Sequence, residues 1–251
     1  MRAGVEAVLL DIDDTLVDTR EGFAAGMRAV AGTYLGHLGD GGPTAALQHW
    51  VSDPGGHFAA FTRGEVTFEQ QRRSRAERLH LDLGAVGLDG PGFARWNRTF
   101  EDGFRDAWVA LPGAAELVAA LGATNPRLPF GAVTNAEVGY QRDKLERTGL
   151  GAVPVLVGTD TLGLGKPDPR VFHHGCALLG VDPGGTVYVG NDLVVDAQAA
   201  VAAGLQGVWF DRGHDPVPAA PPSGLPVVRS LTELIRWLAP DGGFGRSSGA
   251  R

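Results

Sequence analysis

The stretch Val5-Glu6-Ala7-Val8-Leu9-Leu10-Asp11-Ile12-Asp13-Asp14-Thr15 decides the fold. Its first six positions form a short, β-compatible, mainly apolar run that stops abruptly at the aspartates. Four comparable runs follow, at residues 130–133, 153–157, 186–189 and 207–210, with a weaker one at 226–228. None of them alternates apolar with polar residues, so each is expected to be a strand covered on both faces, as in a parallel sheet. Residues 137–148 and 168–179 carry helix-spaced apolar side chains, and residues 192–203 are rich in Ala and Val. Strand, helix, strand in this order predicts a doubly wound parallel α/β sheet.

Between Asp18 and Ala110 the texture changes. No clear strand run occurs, and Arg, Glu, Gln, Phe and Ala dominate. Residues 67–81 read as a helix, with Glu69–Arg73 and Arg73–Glu77 at i,i+4 spacing. The division expected is therefore an α/β core formed by residues 1–17 and 111–240, an inserted helical domain at 18–110, and a flexible Gly/Ser tail at 241–251. Pro112 is expected near a helix start, and residues 216–226 as a Pro-rich loop. Arg63, Arg72, Arg73, Arg75 and Arg78, interleaved with Glu65, Glu69 and Glu77, read as a solvated helix face. Trp50, Trp96, Trp108 and Phe58 are assigned to the core of the inserted domain. His173 and His174 are adjacent rather than four apart, and receive no role.

The chain has 251 residues, 38 of them glycine, and 22 Lys and Arg against 29 Asp and Glu for a net charge of −7. That balance argues against bulk electrostatic binding of nucleic acid or of an anionic membrane. One cysteine, Cys176, permits no internal disulfide and no multi-cysteine zinc site. The first ten residues lack a signal-peptide layout, and no window approaches a membrane span, so the expectation is a cytoplasmic protein.

In open parallel sheets, ligands bind beyond the carboxyl ends of the strands. The residues there are Asp11, Asp13 and Asp14 with Thr15; Thr134 and Asn135; Gly165-Lys166-Pro167; and Gly190-Asn191-Asp192 with Asp196. Two carboxylates two residues apart are costly to desolvate unless a cation lies between them. Oxygen-only donors suit a hard cation such as Mg²⁺. Thr134 with nearby backbone N–H groups could bond phosphate oxygens, and Lys166 could offset the remaining charge. A phosphate-binding Gly-rich loop at 163–166 fails as an alternative, because Asp160 stands where a glycine is needed and Pro167 replaces the Ser or Thr.

These four motifs, in this order, resemble the haloacid-dehalogenase-like hydrolase superfamily over the chain up to about residue 238. The resemblance is carried by Asp11-Ile12-Asp13-Asp14-Thr15, Thr134-Asn135, Gly165-Lys166-Pro167-Asp168-Pro169, and Gly190-Asn191-Asp192 with Asp196. It implies a Rossmann-like core, with the inserted helices as a small α-helical cap. It further implies that Asp11 is a nucleophile forming an aspartyl phosphate. Asp13 would be the acid that protonates the leaving oxygen and then the base that activates water. Thr134, Asn135 and Lys166 would hold the phosphoryl group, with Lys166 also positioning Asp11. Mg²⁺ would be bound by the Asp11 carboxylate, the Asp13 carbonyl and the fourth motif, where Asn191, Asp192 and Asp196 are the candidates and Asp196 stands behind the direct ligands.

The fourth motif departs from the family pattern, which commonly begins Gly-Asp. Asn191 can offer an amide oxygen but no charge, so Asp192 either compensates or merely caps the next helix. Asp14 reads as a solvent-facing or turn residue. The haloacid dehalogenases of the family lack an aspartate at the Asp13 position, since a halide needs no proton whereas an alkoxide does. Asp13 therefore favours a Mg²⁺-dependent phosphatase acting on a small phosphorylated metabolite. A phosphomutase is the alternative within the enzyme class, and a weakly active binding or regulatory homologue outside it. Substrate identity and oligomeric state are not written in these motifs.

Overall fold

The computed structural model describes residues 4–124, 128–213 and 223–239. In chain order its strands are β1 (Ala7–Leu10), β2 (Val17–Asp18), β3 (Val109–Ala110), β4 (Phe130–Val133), β5 (Val155–Val157), β6 (Thr186–Gly190), β7 (Gln206–Phe210) and β8 (Val227–Val228). Six of them form a sheet in the order β5-β4-β1-β6-β7-β8, every neighbouring pair parallel. The doubly wound α/β reading holds. All four residues of β1 are buried because successive side chains enter different cores. Leu9 joins Val133, Phe172 and Tyr188 on one face, whereas Val8 and Leu10 join Val187 and Val189 on the other. Period-two alternation of faces with both faces dry yields a continuous apolar run.

Five helices lie between β2 and β3: α1 (Arg20–Tyr34), α2 (Gly42–Ser52), α3 (His57–Thr62), α4 (Phe68–Asp82) and α5 (Gly90–Asp106). They form a helical lobe joined to the sheet through β2 and β3, which pair antiparallel with Val17 opposite Ala110. Two residues per strand are too few to leave a periodic signal, so sequence reading passed over this ribbon. In α5, Phe93, Trp96, Phe100 and Phe104 fall on one buried face. Phe100 stacks on Trp96 at 5.7 Å and Phe104 on Phe100 at 5.3 Å. Helix α1 reaches this ring column through Gly22 and Gly26, where an added Cβ would lie 2.9 Å from the Phe104 and Phe100 rings. Part of the glycine excess is thus helix–helix contact distance.

Helix α4 opens on a capping box between Thr67 and Gln70, as its first turn leaves N–H groups without partners. Its arginines do not all behave as a solvated face. Arg73–Glu77 and Arg78–Asp82 are exposed pairs, but Arg72 is buried and Arg75 half-buried against aromatic rings, with Arg75 3.8 Å from the Trp50 ring centroid. Trp50, Trp96 and Trp108 are buried as expected, whereas Phe58 is exposed.

The sheet helices are α6 (Ala114–Thr124), α7 (Val138–Arg147), α8 (Thr159–Leu162), α9 (Pro169–Leu179), α10 (Ala199–Ala202) and α11 (Leu231–Leu238). Pro112 lies in the turn immediately before α6, near a helix start as expected. Residues 192–203, read as one helix, begin instead with a π-helical turn, Leu193–Gln198, that passes into α10. The 241–251 tail and most of the Pro-rich 216–226 loop lie outside the described residues. Among the described residues no helix is long and apolar enough to cross a membrane.

Candidate active site

Asp11 and Thr134 are each the first residue beyond a strand, and each remains pinned by the ladder. Asp11 N–H donates to the Val189 carbonyl at 2.8 Å, and Thr134 N–H to that of Val157 at 2.9 Å. After Asp11 the chain curls tightly, the Ile12 carbonyl accepting from the N–H groups of Thr15, Leu16 and Val17. Asp14 takes the left-handed conformation this curl needs (φ 59°), which Asp tolerates better than most residues. It is tied down rather than solvent-facing, with Arg212 bonded to both Asp14 (3.0 Å) and Asp18 (2.9 Å).

Lys166 is buried, and its ammonium donates to Asp11 Oδ1 (2.6 Å), Asp196 Oδ1 (2.6 Å) and the Tyr188 hydroxyl (2.9 Å). Those contacts engage all three of its hydrogens. Lys166 thus reaches the nucleophile position and supplies positive charge there, the arrangement expected of a residue that positions Asp11 and offsets negative charge. Burial works against its charge, but the Asp11 and Asp196 carboxylates outweigh that and hold it above an ordinary lysine. Burial also dominates at Asp11, pushing its carboxyl up to about 7 against the pull of Lys166, with Asp196 and Asp13 adding to the rise.

Asn135 holds the Lys166 loop in place: its side chain accepts from Lys166 N–H at 2.6 Å and donates to the Lys166 carbonyl at 3.0 Å. A side chain at Gly165 would collide with that amide, so only glycine admits the clasp. The Asn135 side chain is therefore occupied, which leaves its backbone N–H for a ligand.

The expected metal donors separate. Asp196 is engaged by Lys166, by Tyr188 and by Asp192 N–H. Exposed Asp192 caps the π-helical turn, one carboxylate oxygen accepting from Val194 and Val195 N–H at 2.8 Å each. The Asp13 carboxylate is taken by Gln141 and Lys144 of α7. What stays together is Asp11 Oδ2 and Asn191 Oδ1, each 3.3 Å from Thr15 Oγ1. Among the described residues no three His, Cys, Asp or Glu side chains form a cation cage. The donors that converge are of mixed kind, one carboxylate and one amide. They suit a hard cation that keeps several waters, and a carboxyl driven toward neutrality by burial is one a divalent cation would hold ionised.

Three residues were not singled out from the sequence. Gln141 is buried and donates from Nε2 to Asp13 Oδ2 (2.7 Å) and to Thr134 Oγ1 (2.8 Å). Because Thr134 Oγ1 accepts there, its hydroxyl hydrogen is free for a phosphoryl oxygen. Lys144, also buried, is ion-paired with Asp13 Oδ1. Tyr188 completes the Lys166 shell. The signals available were a Gln-x-x-Lys pair one turn apart on a helix, and a tyrosine hydroxyl in the middle of a mainly apolar strand.

Residues 5–204 match the haloacid dehalogenase-like hydrolases. The chain belongs to that family. It is 31% identical to a phosphoglycolate phosphatase of Rhodospirillum rubrum, over 98% of this chain and 94% of that protein. It is 28% identical to a phosphoserine phosphatase of Thermus thermophilus, over 84% of this chain and 91% of that protein. Among solved structures of the family, the magnesium-bound HAD-hydrolase YfnB of Bacillus subtilis superposes with a TM-score of 0.73 at 22% identity, over 95% of this chain and 99% of that one. The defluorinating L-2-haloacid dehalogenase Rha0230 superposes with 0.74 at 22% identity, over 93% and 95%. These structural likenesses establish the shared fold.

Proposed function

We propose that this hydrolase is a Mg²⁺-dependent phosphatase for a small phosphorylated metabolite, working in the cytoplasm beneath a cap formed by the helical lobe. The observation that carries the reading is Asp13, a second carboxylate held by Gln141 and Lys144 beside the group that Thr134 and Asp11 would engage. Carbon–halogen cleavage has no use for it, whereas an alkoxide leaving group requires a proton. The full-length likeness to curated phosphatases supports the same choice.

In the proposed reaction a carboxylate oxygen of Asp11 attacks phosphorus, an Asp11 O–P bond forms, and the ester P–O bond breaks. Asp13, protonated at the start of this step, gives its proton to the departing oxygen and is left as the carboxylate that Gln141 and Lys144 hold. The Asp13 carboxylate then takes a proton from water as that water attacks the aspartyl phosphate, which releases phosphate and restores Asp11. Lys166 aligns Asp11, and Thr134 Oγ–H with the Asn135 N–H receives phosphoryl oxygens. The Asp11 carboxylate, Asn191 amide oxygen and Asp13 carbonyl would hold Mg²⁺, which when bound supplies charge to screen attacking carboxylate from phosphate.

Hydrolysis of p-nitrophenyl phosphate with and without Mg²⁺ tests this. Asp11→Asn is expected to lower kcat about 10⁴-fold or more, as loss of a covalent nucleophile does. Turnover unchanged by that substitution would overturn the mechanism.

A further inference from the structure

Gln141 and Lys144 lie one turn apart on α7, and both point at the same carboxylate. Gln141 Nε2 bonds Asp13 Oδ2 at 2.7 Å, while the Lys144 ammonium takes Asp13 Oδ1. The two donors act on different oxygens, so they fix the rotation of the carboxyl as well as its position. The second Gln141 hydrogen goes to Thr134 Oγ1 at 2.8 Å, which ties the acid/base group to the phosphoryl-binding hydroxyl through one amide.

Lys144 is only 2% exposed at its side chain. Its ammonium sits in a box of three rings: Trp108 at 5.1 Å, Tyr140 at 5.5 Å and Phe104 at 5.7 Å. Trp108 packs edge-on against both Phe104 and Tyr140 at 5.5 Å. Such rings attract a cation electrostatically. Their origin is informative: Phe104 ends α5 of the lobe, Trp108 lies just before β3 of the connecting ribbon, and Tyr140 is on α7 of the core. A buried lysine facing an aspartate on one side and rings from three parts of the molecule on the other joins lobe position to that aspartate.

We propose that Gln141 and Lys144 are positioning residues that clamp Asp13 in its working orientation, and that the Phe104–Trp108–Tyr140 box makes this clamp depend on the docked lobe. This rests on the proposed role of Asp13 as acid and base.

The test is a kinetic cycle on the full chain with Mg²⁺ and phenyl phosphate, whose leaving group requires protonation. Lys144→Met, which fills the box without charge, is expected to lower kcat about 10²-fold, the scale of a misplaced catalytic group, with KM within about twofold. Lys144→Arg is expected to recover part of the loss. In an Asp13→Asn background, Lys144→Met should cost less than about twofold, since residues acting through one group are not additive. Phe104→Leu should lower kcat when Lys144 is present and have little effect in Lys144→Met. Wild-type kcat in Lys144→Met, or equal losses in the Asp13 and Asn backgrounds, overturns the clamp while leaving the phosphatase reading standing. Turnover insensitive to Asp11→Asn overturns both. Thermal melts of each variant separate these outcomes from unfolding.

Discussion

At the residue scale, Asn191 and Asp11 decide how charge is distributed at the sheet edge. They follow adjacent strands, β6 and β1, and the Thr15 hydroxyl lies 3.3 Å from an oxygen of each. Asn191 N–H also donates to the Thr15 hydroxyl at 3.1 Å, so the backbone and side chain of Asn191 meet the same hydroxyl. Asn191→Asp adds a negative charge where the proposed cation would sit. It is expected to tighten Mg²⁺ binding about tenfold, or ~1.4 kcal/mol, as read by titration calorimetry. An unchanged Kd would mean that position 191 is not a ligand. Asn191 was visible in the sequence as a departure from the motif, because motif residues are defined by position along one strand. Gln141 and Lys144 were not visible, because they meet Asp13 across about 130 residues of chain.

At the element scale, the π-helical turn over Leu193–Gln198 separates two readings of one acidic cluster. The wide turn lets the N–H groups of both Asp196 and Ala197 reach the Asp192 carbonyl, and it turns Asp196 inward to Lys166. Asp192 stays outside as the cap. Asp192→Ala should therefore cost about 1 kcal/mol of stability, the usual worth of an N-cap. That corresponds to a Tm drop of about 2–4 °C for a chain of this size. Mg²⁺ affinity should stay within about twofold by calorimetry; a large loss would restore Asp192 as a ligand. The sequence allowed both roles, since Asp is equally good as a cap and as an oxygen donor. Only the turn geometry shows which backbone groups its carboxylate meets.

At the scale of the whole molecule, the lobe meets the core through a connected set of charges and a backbone bond. Glu101 of α5 accepts from Arg72 of α4 (2.6 Å), from Arg105 (2.7 Å) and from Tyr140 of α7 (2.9 Å). Arg105 also pairs with Asp143 of α7, and Gly165 N–H donates to the Thr62 carbonyl of α3 at 2.7 Å. Burial opposes the Glu101 charge, but Arg72, Arg105 and Tyr140 outweigh it and hold its carboxyl below the ordinary glutamate range. A lowered folded pKa gives stability that is complete above the unfolded value, near pH 4.3, and lost as pH falls through the folded one. Glu101→Gln strands the buried Arg72 and should cost about 3 kcal/mol at pH 7. In melts from pH 7 down to pH 3 the gap to wild type should hold until about pH 4 and then shrink. A gap that does not change with pH would remove Glu101 from this role.

The acidic, glycine-rich composition excluded classes of function, and the runs ending in Asp11, Thr134 and Asn191 made the sheet and its ligand edge legible. These features are local: continuous apolarity reports burial on both faces, and a strand end is marked by where apolarity stops. Partnership is not local. Whether Lys166 meets phosphate or protein, whether Asp196 binds a cation or an ammonium, and what holds Asp13 depend on which side chains share a buried volume. Chain tracing alone cannot supply that. In a low-dielectric site each donor must find an acceptor, and the tertiary structure decided which acceptor it found.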